Sequence, residues 1–174
     1  PSGVGKNTII KALRALEVFN HSFFSVSWTT RSSRPGEVHG IDYVFVTRAE
    51  FEAGIADGDF LECAQVGEHY YGTPLAPILQ ALAENMTVFI DLDVKGAKIA
   101  KKALDPWEPK SPAVWKQKVP VFDVFVSPPS MEDLEARLRA RGTETEDQLL
   151  KRLARANDEL LPVSYTHLRA HETP

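Results

Sequence analysis

The chain has 174 residues, enough for one domain with a sizeable core. Its 20 Lys and Arg stand against 24 Asp and Glu, a net charge of −4 that argues against a general nucleic-acid or membrane-surface binder while leaving room for a local basic pocket. No run of about 18 apolar residues is present, so no membrane-spanning helix is expected, and a single cysteine, Cys63, excludes an internal disulfide and fits a reducing, cytoplasmic setting.

The first segment, Pro1-Ser2-Gly3-Val4-Gly5-Lys6-Asn7-Thr8, reads as most of a phosphate-binding loop without its opening glycine. Gly3 and Gly5 admit backbone conformations with positive φ, so that successive N–H groups can line one concavity. A helix expected from Thr8 to about Val18 adds the positive end of its dipole, and its apolar residues Ile9, Ile10, Leu13 and Leu16 anchor the loop. Lys6 supplies a mobile charge for the β and γ phosphates of a nucleoside triphosphate. Asn7 stands where a hydroxyl that meets Mg²⁺ is usual.

Downstream, a strand is expected over Phe23–Trp28, then a polar run over Thr29–Glu37. Short strands follow at Asp42–Val46 and Phe60–Val66, with Gly58-Asp59 as a turn signal. Pro74–Asn85 is amphipathic, with Leu75, Ile78, Leu79 and Leu82 on one helical face. Thr87–Leu92 reads as a buried parallel strand ending in Asp91-Leu92-Asp93, and Val94–Ala103 as a helix. Asp105–Lys118 reads as a surface loop and Val121–Val126 as another strand. Ser130 caps a helix that runs to Arg141, and Thr145 with Gln148 forms a capping box for a helix to about Leu160. Strands alternating with helices predict an α/β fold with a parallel sheet.

Several blocks follow the loop in order: Ser27-Trp28-Thr29-Thr30-Arg31, Arg34-Pro35-Gly36-Glu37, Gly40-Ile41-Asp42-Tyr43, Phe60-Leu61-Glu62 and Tyr70-Tyr71-Gly72-Thr73. They continue with Asp91-Leu92-Asp93, Gly96, Pro128-Pro129-Ser130, Arg137-Leu138, Arg141-Gly142-Thr143-Glu144-Thr145 and Arg152-Leu153. Together with the phosphate loop they closely resemble guanylate kinase, from Pro1 to about Leu160. The resemblance implies a P-loop nucleoside-monophosphate-kinase fold, with a parallel core sheet, a small GMP-binding subdomain at about 28–80 and a lid at about 137–148.

It also implies ATP and GMP as partners, Mg²⁺ with the ATP, phosphoryl transfer to GMP, and a monomer. Ser2, Gly3, Val4, Gly5, Lys6, Asn7 and Thr8 are the expected ATP-binding residues. Two guanidinium forks three residues apart, Arg31 and Arg34, can clamp a monophosphate, and Tyr43 and Tyr71 offer hydroxyls to the same anion. The Glu62 carboxylate can accept the ring N–H and amino group of guanine, with Ser27 and Thr73 donating to its carbonyl. A mismatched base then leaves buried polar groups unpaired. Asp93 matches a position that touches the bound nucleotide. Asp91 resembles the acidic end of a Walker B strand and, with Asn7, is a weak candidate for Mg²⁺ held largely through water. Arg137, Arg141 and Arg152 are expected to close over the triphosphate and, with Lys6, to neutralise charge in the transition state.

The match departs in places. Trp28 replaces a small residue beside Ser27, and the Asp105–Lys118 loop is long. The strand that should feed the phosphate loop and the family's last core strand are expected to be missing. Residues 162–174 read as an unrelated tail of possible adaptor origin, and a domain short of a central strand is expected to be unstable or inactive as written. The alternative reading is a guanylate-kinase-like module that has lost ATP chemistry and binds proteins.

Overall fold

The structure, a computed structural model, describes residues 3–104, 120–142 and 145–160. Ser2, the Asp105–Lys118 loop, Thr143, Glu144 and the 162–174 tail lie outside the described residues. Two compact units divide the chain: Arg14–Pro120, and Pro1–Leu13 with Val121–Pro174.

The Arg14–Pro120 unit contains two sheets. In the first, β1 (Ser22–Phe24) pairs in parallel with β6 (Thr87–Phe89). Phe24 stacks on Phe89 with ring centroids 4.6 Å apart, and the Arg14 guanidinium lies 5.0 Å above the Phe24 ring. Phe23 and Val88 meet the core of Leu61, Ile78 and Ala100, which α3 (Leu75–Ala83) and α4 (Val94–Ala103) help to close. In α3, Ile78 is buried, while Leu75, Leu79 and Leu82 pack against that core, the face expected from the periodicity.

The second sheet has the order β3 (Val44–Phe45), β2 (Trp28–Thr29), β5 (His69–Pro74), β4 (Phe60–Val66). β2 and β3 are parallel, whereas β5 runs antiparallel to both β2 and β4. The single strand expected over Phe23–Trp28 is therefore two short strands in different sheets. Ser25 N–H still donates to the Phe89 carbonyl, and the Ser27 carbonyl already accepts from Val44 N–H in the other sheet. The ladder partner changes within these residues, which no periodicity reveals. Regular pairing over the expected Asp42–Val46 is confined to Val44–Phe45, and over Thr87–Leu92 to Thr87–Phe89.

One helix escapes the periodicity altogether. α2 (Arg48–Asp57) buries Phe51 and Gly54 but has no apolar stripe. Thr47 caps it through a reciprocal pair: Glu50 N–H donates to Thr47 Oγ1 at 3.2 Å and Thr47 N–H to Glu50 Oε2 at 2.7 Å.

In the other unit, α5 (Met131–Arg141) and α6 (Glu146–Leu160) pack Leu134, Leu138, Leu149 and Ala156 around Val4 of the glycine loop. The Oγ of Ser130 accepts from Asp133 N–H, and Thr145 and Gln148 cap α6 reciprocally, as expected. α1 runs Lys6–Arg14, starting two residues earlier and stopping sooner than expected, and it has no buried residue. Its expected anchoring face is only partly covered, with Ile9 and Leu16 exposed. The strand expected over Val121–Val126 is not formed. Residues 121–126 carry no regular secondary structure, and Phe122 and Val124 are each 86% exposed. No helix among the described residues is long and apolar enough to cross a membrane.

Candidate active site

The glycine loop takes the conformation its sequence demands. Gly3 has φ +87° and Gly5 +100°, values that favour glycine. Gly3 is also held by space, because a Cβ there would come within 2.8 Å of Leu138 Cδ2 and 3.2 Å of Leu134 Cδ1. Val4, buried against α5, pins the loop to its helix pair. Lys6, Asn7 and Thr8 open α1, where the positive end of the helix dipole favours an anion. Arg137 Nη1 donates to the Val4 carbonyl at 3.3 Å, so one of the three expected lid arginines reaches the phosphate loop itself. Arg141 ends α5 exposed and Arg152 lies half-buried on α6.

Arg139 was not among the expected site residues, yet it braces the two helices. Its Nη atoms donate to both Glu146 carboxylate oxygens at 2.7 Å, and its Nε to Glu135 Oε1 at 2.8 Å. The hydrogen bonds to Glu146, then to Glu135, raise the Arg139 pKa.

In the Arg14–Pro120 unit two clusters form. The first gathers Arg31, Tyr43 and Tyr71 with Glu37. Arg31 donates from Nη1 and Nη2 to the two Glu37 oxygens, both at 2.9 Å, and from Nη1 to the Ser32 carbonyl at 2.6 Å. Glu37 Oε2 also accepts from Arg34 N–H at 2.8 Å, closing the turn that carries both arginines. The guanidinium lies 5.5 Å from the Tyr43 ring centroid, and Tyr43 and Tyr71 meet edge-to-face at 6.1 Å. Arg31 Nε is buried with no partner among the described residues.

The charges respond to this packing. Burial opposes the charged form of Arg31, but hydrogen bonds with Glu37 and Tyr71 outweigh it and raise the pKa. Burial likewise opposes the Glu37 carboxylate, but the bonds from Arg31 and the Arg34 backbone prevail and lower its pKa. Burial, with the nearby negative charge of Asp91, raises the Tyr43 phenol. Glu37 stood in the recognised motif, but its ion pair with Arg31 was not anticipated. An acid six residues from an arginine in a Pro-Gly turn was the available signal.

The second cluster gathers Glu62, Thr73, Asp93 and Gly96. Glu62 and Thr73 are directly opposite in the β4–β5 ladder, where the register shifts between Phe60 and Glu62. Such irregularities re-aim side chains. Leu61 enters the core, while the fully buried Thr73 donates from Oγ1 to Glu62 Oε1 at 2.6 Å. Its single proton goes to Glu62, and Thr73 orients the carboxylate. Asp93 caps α4 by accepting from Gly96 N–H at 2.7 Å. Burial and the charge of Asp93 raise the Glu62 pKa against the opposing Thr73 bond. Ser27 lies half-buried in the crossing from β1 to β2.

Among the described residues, no three His, Cys, Asp or Glu gather as a metal site. A Mg²⁺ ion carried by nucleotide phosphates and water does not require such a group.

The sequence matches the family model described as guanylate kinase over residues 1–168. A guanylate kinase of Aster yellows witches'-broom phytoplasma is 44% identical over 160 residues, 91% of this chain and 69% of that protein. One of Clostridium perfringens is 44% identical over 165 residues, 94% of this chain and 68% of that protein. The crystal structure of guanylate kinase from Anaplasma phagocytophilum superimposes with a TM-score of 0.58, covering 95% of this chain and 83% of that one at 24% identity, a likeness of fold.

Proposed function

The chain belongs to the guanylate kinase family, and we propose that it transfers the γ-phosphoryl group of ATP to GMP, giving ADP and GDP. The observation that carries this reading is the half-buried Glu62 carboxylate, held by Thr73 in the same compact unit as the Arg31, Tyr43 and Tyr71 cluster. A fixed carboxylate accepts from the ring N–H and amino group of guanine and repels the corresponding edge of adenine. Arg31, Arg34, Tyr43 and Tyr71 take the acceptor phosphate.

Phosphoryl transfer asks little covalent chemistry of the protein. The chain must align acceptor and donor phosphates, offset the charge that gathers in the transition state, and exclude water. The backbone N–H groups of the Gly3–Gly5 loop and the Lys6 ammonium hold the β and γ phosphates. Arg137, by its bond to Val4, stays at the loop's backbone. Arg141 and Arg152 supply further positive charge from the α5–α6 hairpin. Mg²⁺ carried by ATP and held largely through water would neutralise charge on the phosphates, with the Asn7 amide oxygen and the Asp91 carboxylate as weak candidate ligands, each within its own unit.

A coupled assay for GDP formation tests the reading with GMP, AMP and other monophosphates offered in turn. Preference for GMP is expected, with Glu62→Ala lowering it by about 10- to 100-fold, the worth of one or two charge-assisted hydrogen bonds. Equal turnover of AMP and GMP by the unaltered chain would overturn it.

A further inference from the structure

Gly96 lies one turn into α4, a position where alanine ordinarily strengthens a helix. A Cβ there would meet Glu62 Oε2 at 2.9 Å, Glu62 Cδ at 3.3 Å and Asp93 Oδ1 at 3.3 Å. The end of a free glutamate would swing aside at little cost. This one is not free, because Thr73 holds the other oxygen at 2.6 Å and Thr73 is fully buried. Asp93 is equally fixed by its bond to the Gly96 N–H. The missing side chain at 96 is thus the space in which the Glu62 carboxylate stands. We infer that Gly96 is a specificity-determining residue: by lacking a Cβ it lets Glu62 stand against the start of α4 in the orientation that reads guanine.

The inference rests on the reading of Glu62 as the base-recognising group. Helix propensity and site geometry make opposite demands at this residue, so stability and recognition should separate on substitution. Thr73 fixes one oxygen, Gly96 gives room to the other, and Asp93 holds the helix end that frames both. None of these three needs to touch the reacting phosphates to govern which base is accepted.

Gly96→Ala, Glu62→Ala and the double variant test it, with KM for GMP and for ATP, the GMP-to-AMP selectivity and thermal unfolding measured on each. Gly96→Ala is expected to raise KM for GMP by about 10- to 100-fold and to erode selectivity, as loss of one or two charge-assisted hydrogen bonds would. KM for ATP should hold, and any fall in melting temperature should vanish in the Glu62→Ala background. In the Glu62→Ala background the same change should add nothing to KM for GMP, because the collision partner is gone. If Gly96→Ala alone fails to fold while the double variant folds, the collision is confirmed by that route. Unchanged KM and selectivity in Gly96→Ala, an equal loss in both backgrounds, or misfolding of both variants would overturn the inference. Unchanged GMP selectivity in Glu62→Ala would remove its premise and so separate failure of the base reading from failure at Gly96.

Discussion

Glu37 and Glu62 are both half-buried carboxylates, and burial penalises the charge of each. For Glu37 the bonds from Arg31 and the Arg34 backbone outweigh that penalty, and its pKa falls. A depressed folded-state pKa contributes stability above the ordinary carboxylate range, lost as pH falls through the lowered value. Glu37→Gln is therefore expected to destabilise the protein at neutral pH by about 1–3 kcal/mol, the range for a charge-assisted hydrogen bond in a partly buried setting. Parallel denaturant titrations should show the two proteins converging at low pH; a pH-independent gap would contradict the ion pair. For Glu62, burial and Asp93 raise the pKa. A raised carboxylate pKa favours folding below the ordinary range and costs stability as pH rises through the shifted value. Glu62→Gln should hence raise the melting temperature at neutral pH and lose that advantage in acid, while GMP preference falls. KM for GMP in the unaltered protein should rise as pH drops into the shifted Glu62 range, with KM for ATP less affected. A flat profile for GMP would argue that the carboxylate is not ionised in the bound state.

At the scale of elements, readability followed the source of the stabilisation. Val94–Ala103 and the α5–α6 pair were legible because caps and apolar spacing lie within each helix. α2 was missed although Thr47 and Glu50 spell a capping box, because only Phe51 and Gly54 turn inward and no stripe forms. β5 is legible only as a motif, since its pairing with β2 and β4 is a long-range event that His69–Pro74 does not announce. Thr47→Ala removes the hydroxyl that accepts from Glu50 N–H while keeping the residue-47 N–H that donates to Glu50; it is expected to cost about 0.5–2 kcal/mol, with KM values nearly unchanged, as equilibrium unfolding and steady-state assays would show. The Arg139 fork differs: its side chain is 48% exposed and that of Glu146 62%. Exposed pairs contribute little to stability and are screened by salt. Arg139→Ala should therefore lower stability slightly, and less in high salt than in low. A large, salt-independent loss would place the pair among structural rather than surface contacts.

For the whole molecule, the order of motifs told more than any single one. Arg31, Tyr43 and Tyr71 are far apart along the chain, and only the recognised series joined them to one phosphate. The structure brings these three together, along with Glu62, Thr73 and Asp93 around a second point. What the motifs did not carry was second-order geometry: the Glu37 fork, the bond from Thr73 to Glu62, and the room left by Gly96. Such features depend on interatomic distances of a few tenths of an ångström, which residue identity alone does not encode. The division of the chain into compact units adds a functional expectation. Lys6 belongs to Pro1–Leu13 with Val121–Pro174, whereas every residue assigned to GMP belongs to Arg14–Pro120. Binding of GMP and chemistry on ATP should then be separable by mutation. Lys6→Ala is expected to lower kcat by about 10²- to 10³-fold, the usual loss when one group that stabilises transition-state charge is removed. Calorimetric affinity for GMP should stay within about twofold, because no acceptor residue is altered. If Lys6→Ala weakened GMP binding as much as it slowed turnover, the assignment of donor and acceptor residues to separate units would have to be abandoned.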